Sequence, residues 1–272
     1  MTPLTVLIRG AGEMASAVAH RLAHSKFRVC MTETERPLAV RRAVSFCDAV
    51  YDGVQEVEDI KARRVSSFPE MEPVWQAGEL PLLVDPECRI RGQLKPEILV
   101  DAILAKKNLG TRLVDAPLVL GLGPGFEAGK DVHAIIETNR GHNLGKVIWS
   151  GRAAENTGIP GDIGGYTSER VLRAPSRGTF SSSREIGDLV QANETIALVD
   201  GAPIKAAISG VIRGLIRDGS DVKEGLKLGD IDPRGKREYC FTISDKARAI
   251  AGGVLEGILS FYGNAPRPFM PR

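Results

Sequence analysis

A strand, a glycine turn and a helix follow one another at the start of the chain, and this arrangement constrains the fold more than any other feature. Thr5–Ile8 is a short β-branched and apolar run, which is typical of a buried strand. The turn Gly10–Ala15 follows, and apolar residues then recur at helical spacing. Strand, glycine turn and helix open a dinucleotide-binding βαβ unit, in which the helix N-terminus faces a phosphate. We therefore predict a Rossmann-like parallel sheet over residues 1–150.

The turn supplies the first candidate ligand-binding residues. Gly10 suits a tight turn, and Gly12 lets the backbone approach a phosphate. A second predicted strand, Phe27–Met31, precedes Glu33, which stands about 20 residues after Gly12, where a ribose-binding carboxylate belongs. Glu33 is equally explained as an ordinary acidic loop residue. The predicted cofactor-binding residues of this region are Gly10, Ala11, Gly12, Glu13, Met14 and Glu33.

Composition and charge argue against several classes of function. The chain has 272 residues, a formal net charge of +2 and 5% aromatic residues. Its charges are mixed along the chain, which argues against a nucleic-acid or membrane partner. No apolar run approaches about 18 residues and no secretion signal opens the chain, so we expect a cytoplasmic protein. The four cysteines are scattered without a CxxC pair, which predicts neither a disulfide framework nor a zinc site, and we predict no metal site.

Two further segments of the first domain are predicted from local signals. Leu80–Val84 is a buried strand by its apolar run. Pro96–Lys107 is predicted as a helix, since it has a proline at its first position, acidic residues early and lysines late. Cys88 lies in the loop after Leu80–Val84 and is the cysteine best placed to act as a nucleophile. No catalytic role is assigned to it beyond that of a candidate.

A second glycine turn follows the predicted strand Ala116–Leu122. Its residues Gly123 and Gly125 offer another place where backbone amides could face an anion. Arg140 and His142 lie in a later polar turn and make it a plausible anion clamp. These four residues, Gly123, Gly125, Arg140 and His142, complete the predicted cofactor-binding set.

Alternating residues in Asp131–Thr138 predict a strand that places His133 and Glu137 on one face. Such a pair could serve as metal ligands or as an acid–base pair. The solvated face of an edge strand explains the same pattern. His133 and Glu137 therefore join Cys88 as the candidate catalytic residues.

The second half of the chain has a different sequence pattern, with short predicted strands and frequent turns. Residues 151–168 are predicted to be a linker or lid loop, and residues 169–243 to be a small all-β domain with turns every 8 to 12 residues. The stretch Val171–Asp232 resembles a biotinyl/lipoyl-like barrel-sandwich hybrid. In that family a modifiable lysine stands at a hairpin tip, whereas Lys205 here comes too late for the tip. No lipoyl or biotin is expected.

A helix closes the predicted architecture. Ser244 is expected to cap a helix from Asp245 to about Phe261, whose apolar stripe packs back on the first domain over residues 244–262. Residues 263–272 have the composition of a tail. The predicted fold class is thus α/β, with a Rossmann-like parallel sheet, a barrel-sandwich-hybrid-like domain and a C-terminal helix.

Four stretches carry a family resemblance: residues 8–22, 35–53, 121–161 and 226–235. Together they make the chain similar to the YqeB family of accessory proteins for selenium-dependent molybdenum hydroxylases. The glycine-rich first turn suggests kinship with XdhC-type factors, which help insert sulfurated molybdenum cofactor. The resemblance implies an accessory factor that binds molybdenum cofactor or its nucleotide form and assists its modification or insertion. It also implies the apo-hydroxylase as protein partner.

Two other classes of function stay open on the residues. One is an NAD(P)-dependent oxidoreductase, with Glu33 on the ribose and His133 or His142 as acid–base residue. The other is a non-catalytic, nucleotide-sensing adaptor that docks the apo-enzyme. Whether the chain is an enzyme and whether it forms a homo-oligomer are not predicted.

Overall fold

The computed structural model describes residues 3–158 and 160–263, so most of the predicted tail 263–272 lies outside the described residues. The chain divides into two compact units. Unit 1 takes Met1–Pro37, Phe46–Asn156 and Ile243–Arg272, and unit 2 takes Leu38–Ser45 and Thr157–Thr242. Unit 1 is therefore discontinuous, and its last segment follows the whole of unit 2 in the chain.

Unit 1 is built on a nine-stranded mixed sheet with the order β3-β4-β5-β2-β1-β6-β7-β8-β9. Neighbours from β4 to β8 are parallel, whereas β3–β4 and β8–β9 at the two edges are antiparallel. The strands are β1 (Thr5–Arg9), β2 (Arg28–Glu33), β3 (Val54–Val57), β4 (Ile60–Val65), β5 (Leu80–Val84), β6 (Ile98–Asp101), β7 (Leu118–Leu122), β8 (Ala134–Ile136) and β9 (Val147–Ile148).

Helices are few and unevenly placed. Those of the described residues are α1 (Glu13–His24), α2 (Ala49–Asp52), α3 (Met71–Gln76), α4 (Arg91–Leu94) and α5 (Asp245–Tyr262). Short 3-10 turns lie at Arg42–Val44, Phe46–Asp48, Phe68–Glu70, Leu113–Asp115 and Arg237–Cys240. Helix α5 packs along α1 and against β7, β8 and β9. No helix of the described residues has both the length and the apolarity needed to cross a membrane.

The prediction of a Rossmann-like parallel sheet was wrong. A doubly wound sheet needs a crossover helix after most strands, so that helices cover both faces. Of the helices in the described connections between the strands of this sheet, only α1 has more than six residues. Part of the cover comes instead from α5, which follows unit 2, and both edges of the sheet are antiparallel hairpin pairs.

The predicted helix Pro96–Lys107 was also wrong. Its first half forms β6, and Leu99 pairs with Leu7 of β1 on one side and with Val119 of β7 on the other. All three side chains are essentially inaccessible to solvent. Burial in the middle of the sheet therefore overrides the local helix signal, since propensity is a weak prior against tertiary packing.

Unit 2 consists of two separate four-stranded antiparallel sheets, ordered β10-β17-β15-β12 and β14-β13-β11-β16. Their strands are β10 (Val171–Arg173), β11 (Gly178–Ser181), β12 (Leu189–Val190), β13 (Thr195–Val199), β14 (Ala202–Lys205), β15 (Gly210–Leu215), β16 (Asp221–Val222) and β17 (Lys227–Asp232). The prediction of a biotinyl/lipoyl-like barrel-sandwich hybrid was wrong: the strands form two small antiparallel sheets without a clear barrel. Phe180, Leu228 and Ile231 belong to the buried core of unit 2.

The hairpin β13–β14 has the tight turn that its sequence demands. Asp200 and Gly201 both have positive φ, at 45° and 85°, as a two-residue type I′ turn requires. Lys205 ends β14 and pairs with Thr195, so it does not stand at the hairpin tip.

Candidate functional site

The carboxyl edge of the parallel strands in unit 1 carries the first glycine turn. Gly10 has φ +104°, and a Cβ there would approach the backbone of Ala102 to 3.2 Å, so this position needs glycine. Gly12 is the N-cap residue of α1. The carboxylate of Glu33 accepts hydrogen bonds of 2.8 Å from the backbone N–H groups of Ala11 and Thr34. The predicted ribose carboxylate thus holds the turn in place.

The N-termini of the two long helices meet beside this turn. Ser244 caps α5 by accepting a hydrogen bond from the N–H of Ala247 at 3.3 Å. The same hydroxyl lies 3.0 Å from Oε1 of Glu13, to which it donates. Each helix carries partial positive charge at its N-terminus, so the two ends together favour an anion.

Lys246, in the first turn of α5, is the residue of this site that sequence reasoning missed. Burial lowers the pKa of its ammonium group and the charge of Arg140 lowers it further, while Glu13, Glu137 and Asp245 oppose the shift. The side chain is half-buried, and within the described part of the chain its Nζ forms no hydrogen bond and no ion pair within 4 Å. A lysine in a helix's first turn opposes the helix dipole, and that unfavourable placement is a signal that the sequence did contain.

Glu137 and Arg140 are occupied by structural partners. The buried Glu137 carboxylate accepts hydrogen bonds from the N–H of Asn139 at 2.7 Å and of Ala154 at 2.8 Å. Arg140 forms a two-bond ion pair with Asp245, at 2.6 and 3.0 Å. Both residues fix the loop after β8, and Arg140 ties it to the start of α5. His142 lies exposed in the same loop.

His133 directly precedes β8 and so lies at the amino ends of the parallel strands, opposite the glycine turn. Its Nδ1 accepts a hydrogen bond of 2.9 Å from the N–H of Val119, near the start of β7, so the proton of the neutral ring is on Nε2. Burial lowers the pKa of this imidazole. Glu137 follows the carboxyl end of β8, and four residues of extended chain span about 13 Å. The structure therefore does not bring His133 and Glu137 together.

Cys88 is buried in the loop after β5, with a left-handed backbone at φ +55°. Burial raises the pKa of its thiol to about 11, and the charge of Asp85 adds to the effect, against the lowering influence of Thr32, Arg9 and Arg91. The thiolate is the nucleophilic form of cysteine. A buried thiol with a raised pKa is poorly suited to that role.

The second glycine turn is shaped by close packing. A Cβ at Gly123 would lie 2.3 Å from Thr138 Oγ1, and one at Gly125 would lie 2.6 Å from the backbone N of Lys107. Beside Gly125 a surface depression of about 330 Å³ opens, with Glu127 and Arg152 among its lining residues. The two are joined by an ion pair at 2.6 Å.

A buried polar network fixes the loop between the two glycine turns. Asp101, at the end of β6, accepts a hydrogen bond of 2.6 Å from the hydroxyl of Thr111, and Arg9 Nη1 donates to that hydroxyl at 3.0 Å. The loop held in this way contains Leu104 and Lys106, both left-handed at φ 58° and 62°. Left-handed backbone at bulky residues is strained, and such strain concentrates at functional sites.

No family model matches the chain. The uncharacterized protein YqeB of Escherichia coli strain K12 is 52% identical over 254 residues, which make up 93% of this chain and 47% of that protein. The chain thus spans about half the length of this curated relative.

Three solved structures illustrate the structural matches. The product-bound ectoine utilization protein EutE (DoeB) from Ruegeria pomeroyi has a TM-score of 0.26 at 13% identity, covering 84% of this chain and 85% of that one. An aspartoacylase family protein from Mesorhizobium loti has a TM-score of 0.27 at 13% identity, with 84% and 85% covered. A succinylglutamate desuccinylase from Silicibacter sp. TM1040 has a TM-score of 0.26 at 12% identity, with 84% of each chain covered.

These findings correct the resemblance drawn from the motifs. The relative is described as uncharacterized, and no molybdenum hydroxylase role is attached to it. The kinship with XdhC-type factors was wrong as well, because it rested on a Rossmann-like parallel sheet, whereas the sheet of unit 1 is mixed, with antiparallel pairs at both edges. At such low TM-scores, these structures carry neither their fold nor their activity over to this chain.

Proposed function

We propose that the chain is a cytoplasmic accessory factor that binds a phosphate-bearing small molecule at the carboxyl edge of the large sheet. Molybdenum cofactor or its nucleotide form is the ligand we propose, and an apo molybdenum hydroxylase the partner that receives it. The main support for ligand binding at this place is the half-buried Lys246 ammonium. It lies without an ion pair beside the adjoining N-termini of α1 and α5. The choice of ligand and partner comes from the sequence motifs alone.

The geometry favours an anionic ligand for three reasons. Helix N-termini present N–H groups that have no partner within the helix. Gly12, the N-cap of α1, has nothing within 4 Å of the place where a Cβ would be, so the approach to this end of the helix is open. Partial burial of a lysine ammonium costs solvation free energy, and a bound anion offsets that cost.

Binding and hand-over suit the chain better than covalent chalcogen transfer. Transfer through this protein would need an accessible thiolate. All four cysteines are buried, and burial raises the pKa of Cys30, Cys88 and Cys240. Free thiols persist in the reducing cytoplasm, which supports the proposed compartment. Of the two acid–base residues considered for the oxidoreductase alternative, His133 lies at the opposite edge of the sheet from the glycine turn, which leaves His142, exposed in the loop after β8.

The test is a matched pair of substitutions at Gly12. Gly12→Ala and Gly12→Asp both fit, because φ is −71° and no atom lies within 4 Å of the added Cβ. Aspartate adds a negative charge where the phosphate is proposed to bind. The protein is titrated by calorimetry with a molybdopterin nucleotide, NADH, NADPH and pyrophosphate. We expect the molybdopterin nucleotide to bind the unsubstituted protein and Gly12→Ala, and not to bind Gly12→Asp.

Lys246→Ala tests the lysine in the same titrations, with Lys61→Ala as its control, because Lys61 is exposed on β4. We expect Lys246→Ala to weaken nucleotide binding and Lys61→Ala to leave it unchanged. If NADH or NADPH binds and the molybdopterin nucleotide does not, the proposed ligand is wrong and the oxidoreductase alternative is favoured. If the unsubstituted protein binds none of the four compounds, the proposal fails and the adaptor is favoured.

A further inference from the structure

We propose that His20, His24 and Asp59 form a binding site for a divalent transition-metal ion of the Zn²⁺ class. The two histidines lie on α1, seven and eleven residues after Glu13, so the site is about 10 to 17 Å along the helix axis from the carboxyl edge. It is thus separate from the proposed cofactor site. The cysteine spacing gave no reason to expect it, because none of its ligands is a cysteine.

The distances among the three side chains suit a metal ion. His20 Nε2 lies 2.9 Å from Asp59 Oδ1, and His24 Nε2 lies 3.1 Å from Asp59 Oδ2. One ligand atom from each residue lies within 4.8 Å of both others. Ligand atoms around a tetrahedral zinc with bonds of about 2.0–2.1 Å are about 3.3 Å apart. The two nitrogen–oxygen separations differ from that value by less than about 0.5 Å.

The fold brings the three ligands together from two elements. Residues four apart on a helix lie on one face, and the rings of His20 and His24 are 4.6 Å apart between centroids. Asp59 lies in the two-residue turn between β3 and β4, where Glu58 has φ +55°. The turn directs the Asp59 carboxylate at both imidazoles.

Glu58 adds a second carboxylate whose position is fixed. Its Oε1 accepts hydrogen bonds from the N–H of Ile243 at 2.9 Å and from Arg248 at 2.6 Å, and its Oε2 lies 3.5 Å from His20 Nε2. Carboxylates beside metal-bound histidines orient the rings and raise ligand affinity. Two neutral imidazoles and two carboxylates also supply the negative charge that balances a divalent cation.

The donor set selects the kind of metal. Two imidazole nitrogens with a carboxylate suit Zn²⁺ and its neighbours, whereas Mg²⁺ and Ca²⁺ prefer oxygen ligands alone. The side chains of His24 and Asp59 are 49% and 64% exposed, so an ion can enter from solvent. Three protein ligands leave a further coordination position for water.

A hydrogen-bonded cluster without a metal is the competing explanation. In that case both Nε2–H groups donate to Asp59, and adding a metal ion changes nothing. In the metal-bound form the ion takes the place of those two protons. Because a metal would bind the folded chain and join α1 to the β3–β4 turn, it would also raise the melting temperature in proportion to the logarithm of its concentration.

The experiment is titration of the tag-free, chelator-treated full chain with zinc sulfate alone, by calorimetry and by thermal unfolding. We expect one Zn²⁺ per chain and a rise in melting temperature. His24→Ala and Asp59→Asn should each weaken binding by at least about tenfold, the smallest effect seen when even a supporting residue of a metal site is removed. His142→Ala, a loop histidine outside the cluster, is the matched control and should bind as tightly as the unsubstituted protein.

His24→Ala should fold, because the position is exposed on a helix and alanine has the higher helix propensity. Two outcomes would overturn the proposal. One is the absence of zinc binding by the unsubstituted protein. The other is binding of equal affinity in His24→Ala, Asp59→Asn and His142→Ala, which would place the ion elsewhere.

Discussion

The carboxylate of Glu33, at the end of β2, accepts a hydrogen bond of 2.8 Å from the N–H of Ala11 in the turn after β1. Ala11 is fully buried, so this N–H has no access to solvent. We expect Glu33→Ala to lower the free energy of unfolding by about 1–3 kcal/mol, the cost of an unsatisfied buried donor. Glu33→Gln retains an acceptor and should lose less. Urea unfolding measures both, and the exposed Glu35→Ala should be nearly neutral; equal losses in all three would show that the hydrogen bond is unimportant.

Neighbouring glycines in α5 should respond to alanine in opposite directions. A Cβ at Gly253 would lie 2.1 Å from the carbonyl oxygen of Gly145, whereas a Cβ at Gly252 meets nothing within 4 Å. Gly252→Ala should stabilise the protein by about 0.5–1 kcal/mol through helix propensity. Gly253→Ala should destabilise it by about 1–3 kcal/mol through overpacking. Thermal unfolding distinguishes them, and shifts of the same sign would contradict the packing described here.

Asp232 should contribute to resistance against acid. It is buried, which disfavours its charged form, but hydrogen bonds from Arg234 and the charge of Arg213 outweigh this and hold its pKa below the ordinary 3.8. A lowered pKa in the folded state stabilises the protein above pH 3.8, and this contribution is lost as the pH falls below it. Asp232→Asn should therefore lose about 3–5 kcal/mol at neutral pH and less in acid. Denaturant unfolding across this pH range tests it, with the exposed Glu238→Gln as control; a loss independent of pH would argue against the ion pairs.

Lys246 should make stability depend on pH in the alkaline range. Its pKa is lowered in the folded state, so the unfolded chain binds more protons and the free energy of unfolding rises with pH toward the ordinary value of 10.5. The charges that face it are Arg140, Glu13, Glu137 and Asp245. Lys246→Met should remove this rise, as measured by urea unfolding above neutral pH. An unchanged slope in the variant would assign the rise to another group.

Gly12→Asp should separate stability from ligand binding. Aspartate is a better N-cap residue than glycine, by a few tenths of a kcal/mol, and its charge favours the helix N-terminus. The variant should therefore melt slightly higher than the unsubstituted protein while losing nucleotide affinity. Calorimetry and thermal unfolding of the same sample measure both, and parallel losses would point to misfolding instead.

The parts of the fold that the sequence predicted are those that adjacent residues determine. The β1–turn–α1 unit was confirmed, as was α5, which begins at Asp245 after its Ser244 cap. These elements depend on local periodicity, glycine and a capping side chain. The predicted helix Pro96–Lys107 failed because β6 depends on pairing with strands distant in the chain. The Rossmann-like fold failed for a related reason, since no local signal says that α5 covers the sheet.

The candidate site shows the same division. The glycine turns were visible in the sequence, but the role of Glu33 depends on its contact with Ala11, 22 residues earlier. Lys246 and Glu13 are more than 200 residues apart in the chain, and only the folded structure brings their charges together. His133 and Glu137 share a strand pattern, yet hydrogen bonding places them at opposite edges of the sheet.

The discontinuity of unit 1 has a consequence for synthesis on the ribosome. Helix α5 packs on β7–β9, and Gly253 and Gly257 approach Ile136, Leu120 and Val147. It is translated only after Thr157–Thr242, a segment of 86 residues that takes about 4–17 s to synthesise. During that interval the nascent sheet has an uncovered apolar face while unit 2 emerges and can fold. Because exposed apolar surface makes a partly folded chain prone to aggregate, this interval exposes the newborn chain to aggregation.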